Sequence, residues 1–176
     1  MQHLWSPWRM EYLQKGNEAK DAGEAQHQAT GLLAATGCIF CDKPAESRDL
    51  ENLITYRGQR AFVMLNRYPY NNGHLMIVPY AHVPSLEQLD TPTLTEMMLL
   101  TNQSLGALRA VYNPQAFNLG VNIGEAAGAG IAQHVHMHVV PRWAGDTNYM
   151  ATVAGTRVIP EELHETYRRV QGAWPG

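Results

Sequence analysis

Gln133-His134-Val135-His136-Met137-His138-Val139-Val140-Pro141-Arg142 alternates imidazoles with apolar side chains before closing on an apolar pair. On an extended strand successive side chains point to opposite faces, so this period puts His134, His136 and His138 on one face and Val135, Met137 and Val139 on the other, toward a core. Same-face neighbours lie about 6 to 7 Å apart, from a rise of ~3.3 Å per residue, so the three rings can act on one ligand. An imidazole with its ordinary pKa near ~6.5 is largely neutral at physiological pH and can attack phosphorus, giving a nucleotidyl-histidine that a second acceptor resolves. H-x-H on a strand also offers ligands to zinc, and three such residues would complete a catalytic set. Spacing alone does not separate the two.

The surrounding sequence supplies partners for that strand. Extended segments are expected at residues 53–56, 61–65 and 74–78, separated by Gly58 and the turn-forming run Tyr68-Pro69-Tyr70-Asn71-Asn72-Gly73, and again at 117–123 and 131–141. The last two are joined by the small-residue loop Gly124-Glu125-Ala126-Ala127-Gly128-Ala129-Gly130. Thr91-Pro92 opens a long helix whose apolar spacing runs through Leu94, Met97, Met98, Thr101, Leu105, Leu108 and Tyr112. A short last helix is expected from Pro160, with Leu163, Tyr167 and Val170 turned inward. The expected class is α+β: an antiparallel sheet of about five strands with one long and one C-terminal helix.

A chain of 176 residues fits one domain. We read residues 1–36 as an N-terminal extension packed on or near the core. Its aromatic start, Leu4 to Leu13, would dock on the body or on a partner subunit, while 14–36 is polar with no sustained apolar period. Residues 37–176 are read as the principal domain. A net charge of -3 without a basic run argues against nucleic acid as a partner. No apolar stretch approaches the roughly 18 residues of a membrane span, and Met1 to Tyr12 lacks a secretory pattern, so the expected location is the cytoplasm, away from membranes. In that reducing compartment Cys38 and Cys41, spaced C-x-x-C, suggest a metal or redox pair rather than a structural disulfide.

The run His134 to Val140 matches at every position the signature of the histidine triad (HIT) superfamily, in which histidines alternate with apolar residues, and the chain resembles that family. Met64 to Pro79 is similar to the family's nucleotide-binding strands and turn, and with Cys38-Ile39-Phe40-Cys41 and Val121-Asn122-Ile123-Gly124 the resemblance covers roughly residues 37 to 143. It implies that His136 is the nucleophile, flanked by His138 and His134. It further implies that Asn66 binds ribose, that Leu65 and Val63 shape a base pocket, and that Asn122 and the loop Gly128-Ala129-Gly130-Ile131 contact phosphate. That loop lacks the Gln and hydroxyl many relatives carry, leaving backbone N–H groups to cradle phosphate oxygens. The matching metal set is Cys38, Cys41, His82 and His134, a closed structural zinc site. The flanks, Leu4 to Met10 and Pro141 to Tyr149, resemble bacterial HIT proteins grouped with diadenosine tetraphosphate (Ap4A) phosphorylases; within them Arg142 and Trp143 suit contact with phosphate, a second base or an interface.

The resemblance therefore implies a homodimeric enzyme acting at the α-phosphate of a nucleotide or dinucleoside polyphosphate. A nucleotide-binding scaffold with structural zinc and little turnover is a second reading, and a zinc hydrolase ligated by all three triad histidines a third.

Overall fold

The computed structural model describes residues 37–146 and 159–175, so the expected extension at 1–36 lies outside the described residues. Two short helices not anticipated from sequence, α1 (Ile39–Ala45) and α2 (Asp49–Asn52), lead into strands β1 (Ile54–Arg57), β2 (Ala61–Leu65) and β3 (Leu75–Pro79). The long helix α3 (Thr91–Tyr112) follows, then β4 (Ala116–Val121), β5 (Met137–Arg142) and the closing helix α4 (Leu163–Gly172). The five strands form one antiparallel sheet in the order β1-β2-β3-β5-β4, as the α+β expectation requires.

Every residue of β2 and β3 is buried, because both faces of the sheet centre are covered. On one face Ala61, Val63, Leu65, Leu75, Ile77, Val135 and Val139 pack with Met97, Leu100, Ala107 and Leu108 of α3 and with Tyr167 and Val170 of α4. On the other, Phe62, Met64, Met76 and Val78 pack with Ile54 and Phe40. The turn into β3 needs glycine. Gly73 has φ +74, and a Cβ there would stand 2.9 Å from a Leu108 methyl and 3.2 Å from the Tyr112 ring.

Helix α3 opens at Thr91 as expected, while other boundaries shift. The α3 cap is Asp90, whose carboxylate accepts the Thr93 N–H at 2.9 Å, with proline in the first turn. Its buried stripe keeps Met97, Thr101 and Leu108 but adds Leu100, Ser104 and Ala107, while Met98 is 55% exposed. The small Ser104 and Ala107 bring the helix close to the sheet, and the Ser104 hydroxyl is satisfied by Leu100 O at 2.7 Å. Helix α4 begins at Leu163 rather than Pro160, with Glu162 as its cap residue. Strand β5 begins at Met137, so of the three histidines only His138 lies within it. Ladder register would oppose Val135 to Pro79, which has no N–H to give. The Pro79 carbonyl instead meets the His134 ring at 2.8 Å, and the Val135 N–H donates to Val83 O at 2.8 Å. The alternation survives this break, since Val135, Met137 and Val139 still face the α3 side.

Candidate active site

Hydrogen bonds to groups of fixed character set the tautomers of the histidine cluster. His136 Nδ1 lies 3.0 Å from the backbone carbonyl of His134, which can only accept, so Nδ1 carries the proton and Nε2 is bare. Burial pushes the His136 imidazole below its ordinary pKa, the carbonyl bond offsetting only part of this, and the ring is neutral at physiological pH. The His138 ring stands 4.9 Å away at 78°. Its Nδ1 is 3.0 Å from Nε2 of a fourth histidine, His74, which is fully buried. The Tyr70 N–H donates to His74 Nδ1 at 3.1 Å, so His74 donates through Nε2 to His138 Nδ1, and a neutral His138 keeps its own proton on Nε2. A bare ring nitrogen and a ring N–H thus stand side by side, a nucleophile beside a hydrogen-bond donor.

The side chain of His134 turns away to a second cluster. It is fully buried, and burial lowers its pKa against the partly compensating bond to Pro79 O. With Nε2–H donated to that carbonyl, the Nδ1 lone pair faces Cys38 Sγ at 3.4 Å and Cys41 Sγ at 3.6 Å. His82 Nδ1 lies 3.3 Å from Cys41 Sγ, and the four ligand atoms fall within 4.8 Å of one another. A tetrahedral zinc with bonds of about 2.3 Å to sulfur and 2.0 to 2.1 Å to nitrogen spaces adjacent ligands about 3.3 to 3.8 Å apart; the three sulfur–nitrogen separations of 3.3, 3.4 and 3.6 Å suit the ion, and only the widest pair must close to hold it. Among the described residues this is the group of His, Cys, Asp and Glu side chains that could hold a metal. The three triad rings do not converge in that way. His134 faces the thiols, His136 Nδ1 a carbonyl and His138 Nδ1 another histidine.

Other expected residues divide. Half-buried Asn66 follows β2; its Oδ1 accepts the Tyr68 N–H at 2.9 Å and its Nδ2 approaches His74 Nδ1 at 3.4 Å. Leu65 and Val63 require correction as base-pocket residues. Both are at most 1% exposed and point to the α3 side, because their places on β2 have the wrong parity. The imidazole side of β2 carries Phe62 and Met64. Asn122 is half-buried just after β4. Beyond it a single 3-10 turn, Glu125–Ala127, is bounded by Gly124 (φ 80) and Gly128 (φ 84), then Ala129 is buried and Gly130 exposed. Ile131 packs with Cys38 against the second core. Arg142 is held by Asp146 at 2.6 and 2.8 Å and by Asn118 at 2.7 Å, a surface clamp. Sequence reasoning missed His74 and the contact of Phe40 with the triad. The signal for His74 was a histidine directly after the Asn-Gly turn, at the mouth of a wholly apolar strand.

The chain as a whole is similar to known proteins. The HIT domain model matches residues 47–145. The AP-4-A phosphorylase of Mycobacterium tuberculosis is 38% identical over 174 residues, covering 99% of this chain and 85% of that protein. A zinc-bound histidine triad family protein from Mycobacterium smegmatis superposes with TM-score 0.60 at 24% identity, covering 77% of this chain and 91% of its own. A hypothetical histidine triad nucleotide-binding protein from Sulfolobus tokodaii gives TM-score 0.60 at 22% identity, with the same coverage. The two structural likenesses speak to fold alone; the sequence match adds near-complete coverage, and the chain belongs to the HIT domain family.

Proposed function

We propose that the protein transfers a nucleotidyl group from a dinucleoside polyphosphate of the Ap4A kind, through His136, to phosphate or water. The observation that carries this is the neutral His136 ring whose Nδ1–H is fixed on a carbonyl, leaving Nε2 bare beside the His138 ring. A relative named AP-4-A phosphorylase, alike over nearly the whole chain, supports the substrate class. In the first step Nε2 bonds to the α-phosphorus while the bond to the bridging oxygen breaks, its electron pair leaving on the polyphosphate. That anion needs no proton. His138 Nε2–H donates to a phosphate oxygen as charge builds, and His74 and His134 position the two rings. In the second step an acceptor oxygen attacks phosphorus and the pair of the N–P bond returns to His136. Hydrogen phosphate yields a nucleoside diphosphate; water yields a nucleoside monophosphate and a proton.

On this reading Asn66 binds the ribose hydroxyls, and Phe62 and Met64 lie on the base side. Asn122 and the backbone of Gly128, Ala129, Gly130 and Ile131 lie around the phosphates. Cys38, Cys41, His82 and His134 would hold a zinc that supplies a structural tie between α1 and the loops flanking the sheet. Residues 37–176 form the HIT domain and 1–36 an extension of it, and the reduced C-x-x-C pair suits the cytoplasm. No helix among the described residues is long and apolar enough to cross a membrane.

A homodimer is part of the same reading. Edge strand β4 and its exit leave Leu119 47% and Ile123 43% exposed, and α3 leaves Met98 and Leu99 55% and 60% exposed. Such apolar surface, part of it on the strand at the edge of the sheet among the described residues, suits a second copy. Sedimentation equilibrium is expected to return about twice the chain mass of 19.6 kDa; a single-chain mass at micromolar concentration would remove this part.

The function is tested by product analysis. With Ap4A and phosphate, ADP and ATP are expected; without phosphate, either no turnover or AMP and ATP. A protein that binds Ap4A yet yields no product under either condition is a binding module.

A further inference from the structure

Phe40 sits inside the C-x-x-C segment, between the two thiols, in the first turn of α1. Its side chain is 1% exposed and rests on Ile54, Phe62, Met64, Met76 and Val78. From that bed its ring meets two members of the triad. The centroid lies 4.8 Å from His136, tilted by 55°, and 5.4 Å from His134, edge-on at 75°. The hydrogen bond from Nδ1 to the His134 carbonyl chooses the tautomer of His136; the Phe40 ring is a wall against which the imidazole plane is set.

The hold on Phe40 is unequal at the two ends of its helix. Helix α1 has seven residues, encloses Pro44, and its N-cap Cys38 makes no side-chain capping bond. A helix this short has little stability of its own and keeps its place through tertiary ties. At the C-terminal end those ties are ordinary hydrogen bonds: Arg57 Nη1 donates to Pro44 O at 2.8 Å and Asn52 Nδ2 to Lys43 O at 3.3 Å. At the N-terminal end, besides the burial of Phe40, they are the sulfur contacts with His134 and His82. A cation bound by both sulfurs and both imidazoles would clamp the first turn; without it the sulfurs keep only their weaker contacts with the two rings.

We propose that Phe40 is a positioning residue that links this cluster to the nucleophile, holding the His136 ring in its attacking orientation while Cys38, Cys41, His82 and His134 are closed around a metal. The proposal rests on His136 being the nucleophile for its kinetic part only. The residue does not touch the reacting atoms; its effect falls on the rate of bond formation, where small misplacements are costly, rather than on nucleotide affinity.

The test combines ring NMR with single-turnover kinetics. An aromatic ring at this distance displaces the His136 ring-proton resonances, which serve as the reporter. In the zinc-loaded wild-type chain, chelation is expected to move them toward their position in Phe40→Leu, while the amide resonances of β2 and β3 stay in place. In Phe40→Leu, which retains all four ligands, chelation should barely move them. Formation of the labelled nucleotidyl-histidine should slow on the order of 10- to 100-fold in Phe40→Leu with nucleotide affinity nearly unchanged. Wild-type His136 resonances indifferent to chelation would overturn the link, as would a variant that forms the intermediate at the wild-type rate. If the variant fails to fold, the chelation experiment on the wild-type chain decides alone. If wild type forms no intermediate at all, the proposed reaction fails while the resonance measurement still reads the coupling.

Discussion

Replacing His136 by asparagine is expected to lower Ap4A turnover by at least about 10⁴-fold and to eliminate the labelled protein intermediate, the scale seen when a covalent nucleophile is removed. Asparagine can keep the one bond the ring makes to the protein, its amide N–H reaching toward the His134 carbonyl as Nδ1–H does. What it lacks is a basic lone pair at the place of Nε2. Because the contacts proposed for ribose and phosphate, Asn66, Asn122 and the backbone of residues 128–131, are left in place, nucleotide affinity should stay within a factor of about three. A loss of affinity parallel to the loss of rate would mean that His136 binds rather than attacks. Retention of the labelled intermediate would assign the nucleophile elsewhere.

The second large effect concerns the metal. Stripping the protein with a chelator, or changing Cys41 to serine, is expected to destabilise the fold without reversing its topology. An ion held at a free concentration of about a thousand times its Kd contributes about 4 kcal/mol. For a domain of this size that corresponds to roughly 8 to 16 °C in Tm, at about 2 to 4 °C per kcal/mol. The main core does not pass through the cluster, which is why loss rather than collapse is expected: Leu65, Leu75, Ile77, Leu108 and Val139 are at most 1% exposed with no ligand among them. A calorimetric scan with and without chelator reads the shift directly. An unchanged Tm in a chain shown to release bound zinc would deny the metal a structural role. Abolition of activity at once with no change in Tm would instead revive the zinc hydrolase, a reading the divergent directions of the three triad rings disfavour.

How much of this could be read before the structure depended on whether a side chain's duty is local. The strand at Ala61–Leu65 and the helix beginning at Thr91 follow from short-range chemistry, and both stand where the sequence puts them. So does the opposition of Val135, Met137 and Val139 to the imidazoles. The gathering of Cys38, Cys41, His82 and His134 was implied only by family resemblance, since residues 38 and 134 meet through the sheet rather than along the chain. Leu65 was misplaced because resemblance locates a pocket in sequence, whereas strand parity decides which neighbour faces it. His74 stayed hidden for a related reason. Alone it is a buried histidine beside a turn, and it becomes informative only when pairing of β3 with β5 brings it to His138. The short helices around Cys38 and Asp49 lack periodicity long enough to be read, and β5 was overextended because nothing local announces that Pro79 would stand opposite Val135.

The bond that selects the proton-bearing nitrogen of His136 ends on main chain, not on a side chain. A peptide oxygen is supplied by whichever amino acid occupies position 134. Its imidazole can therefore be exchanged, and the thiol partners with it, while the tautomeric instruction to its neighbour is still delivered. Ion binding and the choice of tautomer are thus separable properties of position 134: a chain that lost the metal would keep the tautomer of His136, though not the hold that the closed cluster gives Phe40.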